Sequence, residues 1–522
     1  MLMKRLKVCL INPKFEPSYW GFDYALPLYP GNIKSTMITG ALPHLAGLIP
    51  NHDVCLIDEN VEAIDFDSLR RFDIVGVTGM IVQKRRMLEI LQRVRCAGLF
   101  TVVGGAYASV DQEFFDGYYD VLFCGEADET WPEFVDRFAA GESVKRFYKQ
   151  RQPTDMTKLP KPRFDLLKPD RYATGAVQFS RGCPFLCEFC DIIVTFGRRP
   201  RLKRPEQVLE ELEELRRLGF LACFIVDDNF IGNKKAAKEL LRQIIVWQQQ
   251  HSYPLRLNTE TSINVADDPE LLDLLYQANF RAVFVGIETP RETSLKETKK
   301  FQNVSGESLE GRLARIQSAG LDIYAGFIVG FDNDDEAIFE DQFQFIQNNG
   351  ILLAMVGMLT AIPGTPLFDR LKKENRLRLE DVNCNIVPKQ MTSAQLKEGY
   401  WRLLNRLYAP QAFLERYFKI YQYQEFRRRR IEMLRKANEH RKMRALVYGV
   451  ILIWNLFWTL FKDGSLKKVG VVYWRNFVEH RRRYQRGVFG FAQFANRCVT
   501  HWHFYKFTRE GISGRLRLFN SG

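Results

Sequence analysis

Short apolar runs that end in polar or glycine-rich turns recur along the first third of the chain, at residues 7–11, 53–57, 73–77, 100–103 and 121–124. Runs of this length bounded by turn residues predict buried strands. Segments with helical periodicity lie between most of them, most clearly at 84–97. Five buried strands joined by helical crossovers predict a parallel, doubly wound, Rossmann-like sheet, which binds ligands outside the carboxyl ends of its strands. The strand-end residues are Asn12-Pro13, Asp58-Glu59-Asn60, Thr78-Gly79-Met80, Gly104-Gly105-Ala106 and Gly125-Glu126-Ala127. Glycines at such ends let the backbone approach a ligand, and the helix N-termini that follow can hold anionic groups.

Prolines at 153, 160, 162 and 169 predict an extended connector. A second strand and helix series follows it. The strands are expected at 177–179, 223–226, 255–259, 282–286, 323–329 and 355–359, and the helical patterns are clearest at 205–218 and 234–249. Six parallel units predict a partial (β/α)6 barrel with its chemistry at the carboxyl-terminal rim. Beyond about residue 375 the pattern becomes helical, with a capped start at 391–398 and an amphipathic stretch at 403–418. The expected organisation is α/β, with a doubly wound domain at 1–145, a linker at 146–170, a barrel at 171–375 and a helical, basic and aromatic extension at 376–522.

Composition suits a large enzyme. With 522 residues and 46% hydrophobic positions, two or three packed domains are expected. Ten cysteines without paired spacing, and no signal peptide after Met1-Leu2-Met3-Lys4-Arg5, predict a reducing, cytoplasmic setting.

Three of the cysteines are grouped. The run Arg181-Gly182-Cys183-Pro184-Phe185-Leu186-Cys187-Glu188-Phe189-Cys190-Asp191 has the spacing C-x3-C-x2-C. Three thiolates offered to a four-iron cluster leave one iron free, and an open coordination position is what makes a metal site catalytic. The competing reading is structural zinc, which wants four protein ligands. No second C-x2-C or H-x3-H pair is present, and the other seven cysteines are scattered singly.

The predicted barrel rim carries further candidates. Asp227-Asp228-Asn229 ends the second strand, Glu260 follows the third, Gly286-Ile287-Glu288-Thr289-Pro290 ends the fourth, and Pro363-Gly364-Thr365-Pro366 follows the sixth. Carboxylates there can accept hydrogen bonds from ribose hydroxyls or an ammonium group. Any one of them alone reads more simply as a helix cap or a solvated charge.

The cysteine spacing, with an aromatic residue before the last Cys, resembles the signature of radical S-adenosylmethionine (SAM) enzymes. The resemblance implies a [4Fe-4S] cluster on Cys183, Cys187 and Cys190, with SAM chelated at the free iron and cleaved to a 5'-deoxyadenosyl radical. The rim carboxylates Asp228, Glu260 and Glu288, with Phe189 next to a cluster ligand to frame the adenine, are then the candidates for SAM contacts. The N-terminal domain resembles the cobalamin-binding domain fused to many such enzymes, which makes Thr78, Gly79, Gly104, Gly105, Gly125 and Glu126 cobalamin-binding candidates. Its D-x-H-x-x-G loop is absent, so cobalamin is expected without an imidazole from that loop. Gly197-Arg198-Arg199-Pro200, 226–234, 286–290 and 326–332 extend the resemblance to cobalamin-domain radical SAM proteins with a DUF4070-type extension. More distant members with this domain order act on greasy molecules.

The tail changes the picture of partners. Residues 427–444 hold nine Lys or Arg against two Glu, and 445–461 follow without a charge but with Trp454, Phe457, Trp458 and Phe461. A spanning helix needs about 20 apolar residues. The pattern therefore reads as a peripheral anchor on an anionic membrane surface, with a buried helical cap and a nucleic-acid surface as alternatives, the last disfavoured for lack of a binding module. The expected function is modification of an unactivated carbon of a hydrophobic substrate, by methylation or rearrangement, with a flavodoxin or ferredoxin as electron donor. The alternatives are an RNA-modifying, methylthiotransferase-like enzyme without cobalamin, and a non-catalytic sensor carrying the cluster or a corrinoid.

Overall fold

The computed structural model describes residues 4–378, 384–438, 442–483 and 488–513. Seven strands come first: β1 Lys7–Asn12, β2 Ser35–Met37, β3 Asp53–Asp58, β4 Ile74–Thr78, β5 Thr101–Gly104, β6 Val121–Cys124 and β7 Phe147–Lys149. Six of them form a parallel sheet in the order β3-β1-β4-β5-β6-β7. Its order reverses between β1 and β4, which makes a crevice at their carboxyl ends. The five expected strands are present. The sixth, β7, gave no apolar run because only Tyr148 of its three residues is buried.

The second series is β8 Tyr172–Val177, β9 Ser180–Arg181, β10 Arg201–Leu202, β11 Ala222–Ile225, β12 Arg256–Thr261, β13 Phe280–Glu288, β14 Asp322–Val329 and β15 Leu353–Met358. The barrel sheet runs β15-β14-β13-β12-β11-β8-β2, all parallel. It therefore has seven strands where six were expected. The extra one is β2, from the N-terminal segment, which pairs Ser35 with Tyr172 and Met37 with Thr174. The first barrel strand also lies earlier than the expected 177–179, because β8 ends where the chain turns into the cysteine loop.

The proline-rich connector is packed against the body. It holds short 3-10 turns at Met156–Lys158, Phe164–Leu166 and Pro169–Arg171, and buries Met156, Leu159, Phe164 and Leu167. The Gln207 amide donates to the carbonyls of Met156 (3.3 Å) and Leu159 (2.9 Å). Prolines suit such a strap because they need no ladder hydrogen bond.

The extension folds into α1 Ser393–Leu407, α2 Pro410–Ile420, α3 Gln424–Asn438, α4 Lys442–Lys462, α5 Val471–Arg483 and α6 Val488–Ile512. It seals the amino-terminal end of the barrel. Asp322, the first residue of β14, accepts from Arg430 of α3 (2.8 Å) and Arg497 of α6 (2.6 Å), and all three side chains are buried. Arg430 also donates to the Arg281 carbonyl (3.1 Å). Much of the basic block at 427–444 has partners within the chain: Arg428 and Arg429 bind Glu425, Arg429 also binds Asp273, and Lys436 binds Glu432. Residues 439–441 lie outside the described ones.

Removing one member of a buried ion cluster strands the others, at a cost of about 3–5 kcal/mol. Asp322→Ala is expected to lower the unfolding free energy by an amount of that order, read as a drop in the urea midpoint. A midpoint like that of the wild type would show that the two arginines do not depend on Asp322.

Candidate active site

The cysteine loop leaves β8 at the carboxyl rim and is pinned on both sides. On entry, the Asp227 carboxylate accepts from the Phe179 N–H (2.7 Å) and the Ser180 hydroxyl (2.6 Å), and Asp228 accepts from the Gly182 N–H (2.8 Å). On exit, the Glu188 N–H donates to the Thr298 carbonyl (2.9 Å), and the Glu188 carboxylate takes the Arg370 guanidinium at 2.5 Å. The loop thus stays in place through groups that are not its cysteines.

Cys187 is buried, while Cys183 and Cys190 are half-buried. Two amides point at the sulfurs, Asn229 at Cys183 (3.8 Å) and Gln302 at Cys187 (3.5 Å). Burial raises the Cys183 thiol above its ordinary pKa and pushes Cys190 up to about 12. Such thiols ionise by exchanging their protons for metal, and N–H donors and a nearby cation stabilise the resulting thiolates. The cation is Lys300. Burial opposes its charge, but Glu288, whose Oε1 is 2.6 Å from Nζ, and the Cys187 thiolate outweigh burial and hold the ammonium above the usual lysine range. No group of three or more His, Cys, Asp or Glu among the described residues could hold a single metal ion. Three thiols without a fourth ligand fit an iron-sulfur cluster and not a structural zinc.

The residues proposed for SAM surround this loop. Phe189 lies between the Lys300 ammonium, 5.9 Å from its ring centre, and the Phe331 ring at 6.1 Å. Glu288 is engaged with Lys300 and has a left-handed φ of +66°, next to a register shift between Gly286 and Glu288. Its carboxylate lies over the strand beside Gly286, where a Cβ would meet Oε1 at 2.4 Å and the Lys300 Nζ at 2.8 Å, and strained bulges of this kind are typical of functional sites. Asp228 holds Gly182, as described. Glu260 has no side-chain partner among the described residues, and burial with Asp228 and Asp227 nearby pushes its carboxyl up to about 7. Lys300, Gln302 and Arg370 were missed in the sequence because they come from helices or turns far from the strand ends.

The residues proposed for cobalamin line a cavity of about 470 Å³ between the two sheets. Thr78, Gly104, Gly105, Gly125 and Glu126 contribute one wall, and Gln178, Arg181, Asp191, Ile192 and Val226 another. Gly79 supports the first wall from behind: a Cβ on Gly105, whose φ is +93°, would sit 2.4 Å from the Thr78 hydroxyl and 2.9 Å from the Gly79 nitrogen. Glu126 is held in the wall by Arg181 (2.7 Å) and Arg201 (2.9 Å), and so joins the first domain to the barrel. His44, the first histidine of the chain, also lines the cavity, with Nε2 2.5 Å from Asp128. An open wall of glycine backbone fits a large flat ligand.

A family model of the radical SAM superfamily matches residues 177–346, and one described as a domain of unknown function (DUF4070) matches 365–515. The hopanoid C-2 methylase of Rhodopseudomonas palustris is 33% identical over 476 residues, covering 90% of this chain and 88% of that one. The chain belongs to the radical SAM superfamily. It is an enzyme of that superfamily, and its cofactors are a [4Fe-4S] cluster and SAM. An uncharacterised methyltransferase of Synechocystis sp. is 40% identical over 430 residues, covering 80% of this chain and 78% of the other. Among solved structures, the cobalamin-dependent SAM radical enzyme OxsB with aqua-cobalamin bound superimposes with a TM-score of 0.61 at 15% identity, covering 99% of this chain and 82% of that chain. The radical SAM methyltransferase TsrM from Kitasatospora setae gives 0.57 at 17%, covering 71% and 75%. These two similarities establish the fold of this radical SAM chain.

The Glu260 carboxyl generates a pH prediction. Its folded pKa is raised above the ordinary carboxylate value, so its contribution to stability is fully present below that ordinary value and is lost as pH rises through about 7. Glu260→Gln should therefore melt higher than wild type at pH 8, by on the order of 1–3 kcal/mol of stability, with a smaller gap at pH 6. A gap that does not change with pH would mean that Glu260 is not held in this environment.

Proposed function

We propose that this enzyme methylates an unactivated carbon of a hydrophobic, lipid-like substrate, using cobalamin held in the cavity between the sheets. The observation that carries this reading is the shared wall: Arg181, Asp191 and Ile192 belong to the cysteine loop and also line the glycine-walled cavity. A ligand in the cavity thus abuts the loop that holds the cluster. When bound, the cluster supplies the electron that cleaves SAM, and the corrinoid supplies a methyl carrier. The chain's own part is to hold and shield these groups. Asp227, Asp228 and Glu188 fix the loop, Lys300 offsets thiolate charge, and Arg181 ties the loop to the cavity wall through Glu126 and Asp128.

The barrel interior supports a greasy substrate. Phe224, Phe284, Tyr324, Ile328 and Met355 occupy alternate strand positions that stay half-buried while their neighbours are buried. Alternate residues of a strand share a face, so these five line the lumen. The Trp20 ring lies 5.7 Å from that of Phe284. A hopanoid methylase among the relatives points the same way. For the electron donor, the exposed Val194 shares a hollow with Ile193 and Pro366, rimmed by Arg198, Arg370 and Lys373 against one Asp369, an apolar centre with a net basic rim that suits an acidic flavodoxin or ferredoxin. A cytoplasmic setting, where such donors operate, goes with this reading.

Replacing Cys183, Cys187 and Cys190 together by Ala should abolish the iron-sulfur absorption and 5'-deoxyadenosine formation in a chain that stays folded. An intact four-iron spectrum in that variant would overturn the ligand assignment.

The cavity is tested separately. Gly40 lines it with an ordinary helical backbone, and a Cβ there meets nothing within 4 Å. Gly40→Trp should therefore lose corrinoid retained after anaerobic reconstitution while still cleaving SAM. Full retention in the variant, or none in wild type, would end the corrinoid reading.

A further inference from the structure

Helix α4 has two opposite apolar faces, and among the described residues only one of them is covered. Leu452, Leu456 and Leu460 are fully or almost fully buried, and Gly449 lies so close to α6 that a Cβ would meet the Phe491 ring at 2.9 Å and the Ala492 Cα at 3.1 Å. Asn455 adds a bond to the Leu28 carbonyl (3.0 Å) of the N-terminal segment. The other face carries Met443, Leu446, Val447, Val450, Trp454, Phe457, Trp458 and Phe461, all exposed, with Trp454 at 60% and Phe461 at 59%. Their spacing of three, four and one makes a single stripe along the whole helix.

A stripe of eight large apolar side chains facing water needs an occupant. Its charge context selects one. Residues 445–461 carry no charge, while Arg444 and Lys462 stand exposed at the two ends and Lys467 and Lys468 are exposed just beyond. An apolar stripe with Trp along it and cations at its ends is complementary to an anionic bilayer surface, where the rings enter the headgroup boundary and the cations meet the phosphates.

We propose that α4 lies flat in the surface of an anionic membrane, attaching the enzyme from one side without crossing the bilayer. The helix between Met443 and Lys462 is long and apolar enough to span. Its fastening to α6 and to Leu28 along one face argues against that, because a spanning helix would have to leave Leu452, Leu456, Leu460 and Asn455 behind. The proposal deepens the reading of a lipid-like substrate. The N-terminal segment that α4 grips at Leu28 also places Trp20 against Phe284 in the barrel and donates the Tyr19 hydroxyl to the Ala354 carbonyl (2.7 Å). One short segment thus links the lipid-facing helix to the barrel interior.

The test uses the full chain, reconstituted anaerobically, and vesicles of phosphatidylglycerol and phosphatidylcholine. Wild type should cosediment with anionic vesicles and weakly with neutral ones, release partly at high salt, and be extracted by alkaline carbonate. Trp454→Ser, Phe457→Ser and Trp458→Ser together should lower partitioning at least tenfold or so while SAM cleavage is unchanged, since these side chains face away from the fold. Resistance to carbonate would overturn the flat geometry. Equal partitioning of the variant, or a wild type that ignores vesicles and instead dimerises through these residues, would overturn the membrane occupant. Neither outcome touches the corrinoid measurement, so the two readings fail separately.

Discussion

Everything functional in this chain depends on a buried ionic joint that sets two parallel sheets with their carboxyl edges toward one cavity. Arg181 binds Glu126 and Asp128 at 2.7 and 2.6 Å, Arg201 binds Glu126 at 2.9 Å, and Asp128 takes His44 and Thr154 as well. The carboxylates come from the end of the first sheet and the arginines from either side of the cysteine loop. Burying such charges gains little net stability over an apolar contact of the same shape. It does fix geometry, because a displaced sheet would strand several charges at once. Arg181 stands two residues before Cys183, so the joint that aligns the domains also positions the cluster loop.

The joint explains why much of the cavity was legible and its fastening was not. Glycines at Gly104-Gly105 and Gly125 mark strand ends by their place after apolar runs, which is local information. Glu126 was read from the same pattern as a ligand contact, yet its carboxylate faces two arginines 55 and 75 positions away. Pairing over that distance leaves no trace in periodicity. The same holds for Gln302, which reaches Cys187 from a short helix, for Lys300, which meets Glu288 from the turn before it, and for Arg370, which reaches Glu188 across 182 positions. Strand β2 stayed hidden for a different reason. It forms because β8 offers it an edge, while its own residues Ser35, Thr36 and Met37 show no buried run.

Charge in the C-terminal extension illustrates the difference between composition and availability. The excess of lysine and arginine at 427–444 reads as one cationic patch. In the fold, Arg430 is removed from solvent to meet Asp322, and Arg428, Arg429 and Lys436 lie on neighbouring carboxylates. A desolvated arginine contributes to packing and contributes little to a distant surface potential, which salt screens over about 8–10 Å in any case. The cations that bear on a partner of α4 are those at its ends. Composition placed the charge in the right segment, and burial decided which part of it faces outward.

The extension then does two jobs with one set of helices. Asp322, Arg430 and Arg497 close the amino-terminal end of the barrel. The carboxyl-terminal rim is occupied by the cysteine loop and its supports. The same helices hold the N-terminal segment: Tyr19 packs against the stacked pair Tyr408 and Phe504, Phe22 stacks on His503, and Leu28 is held by α4. The segment also meets the barrel, through the Tyr19 hydroxyl on the Ala354 carbonyl, Trp20 against Phe284 and β2 beside β8, and so joins the extension to it. The helices that seal one end of the barrel are therefore also the ones that fix this segment along it.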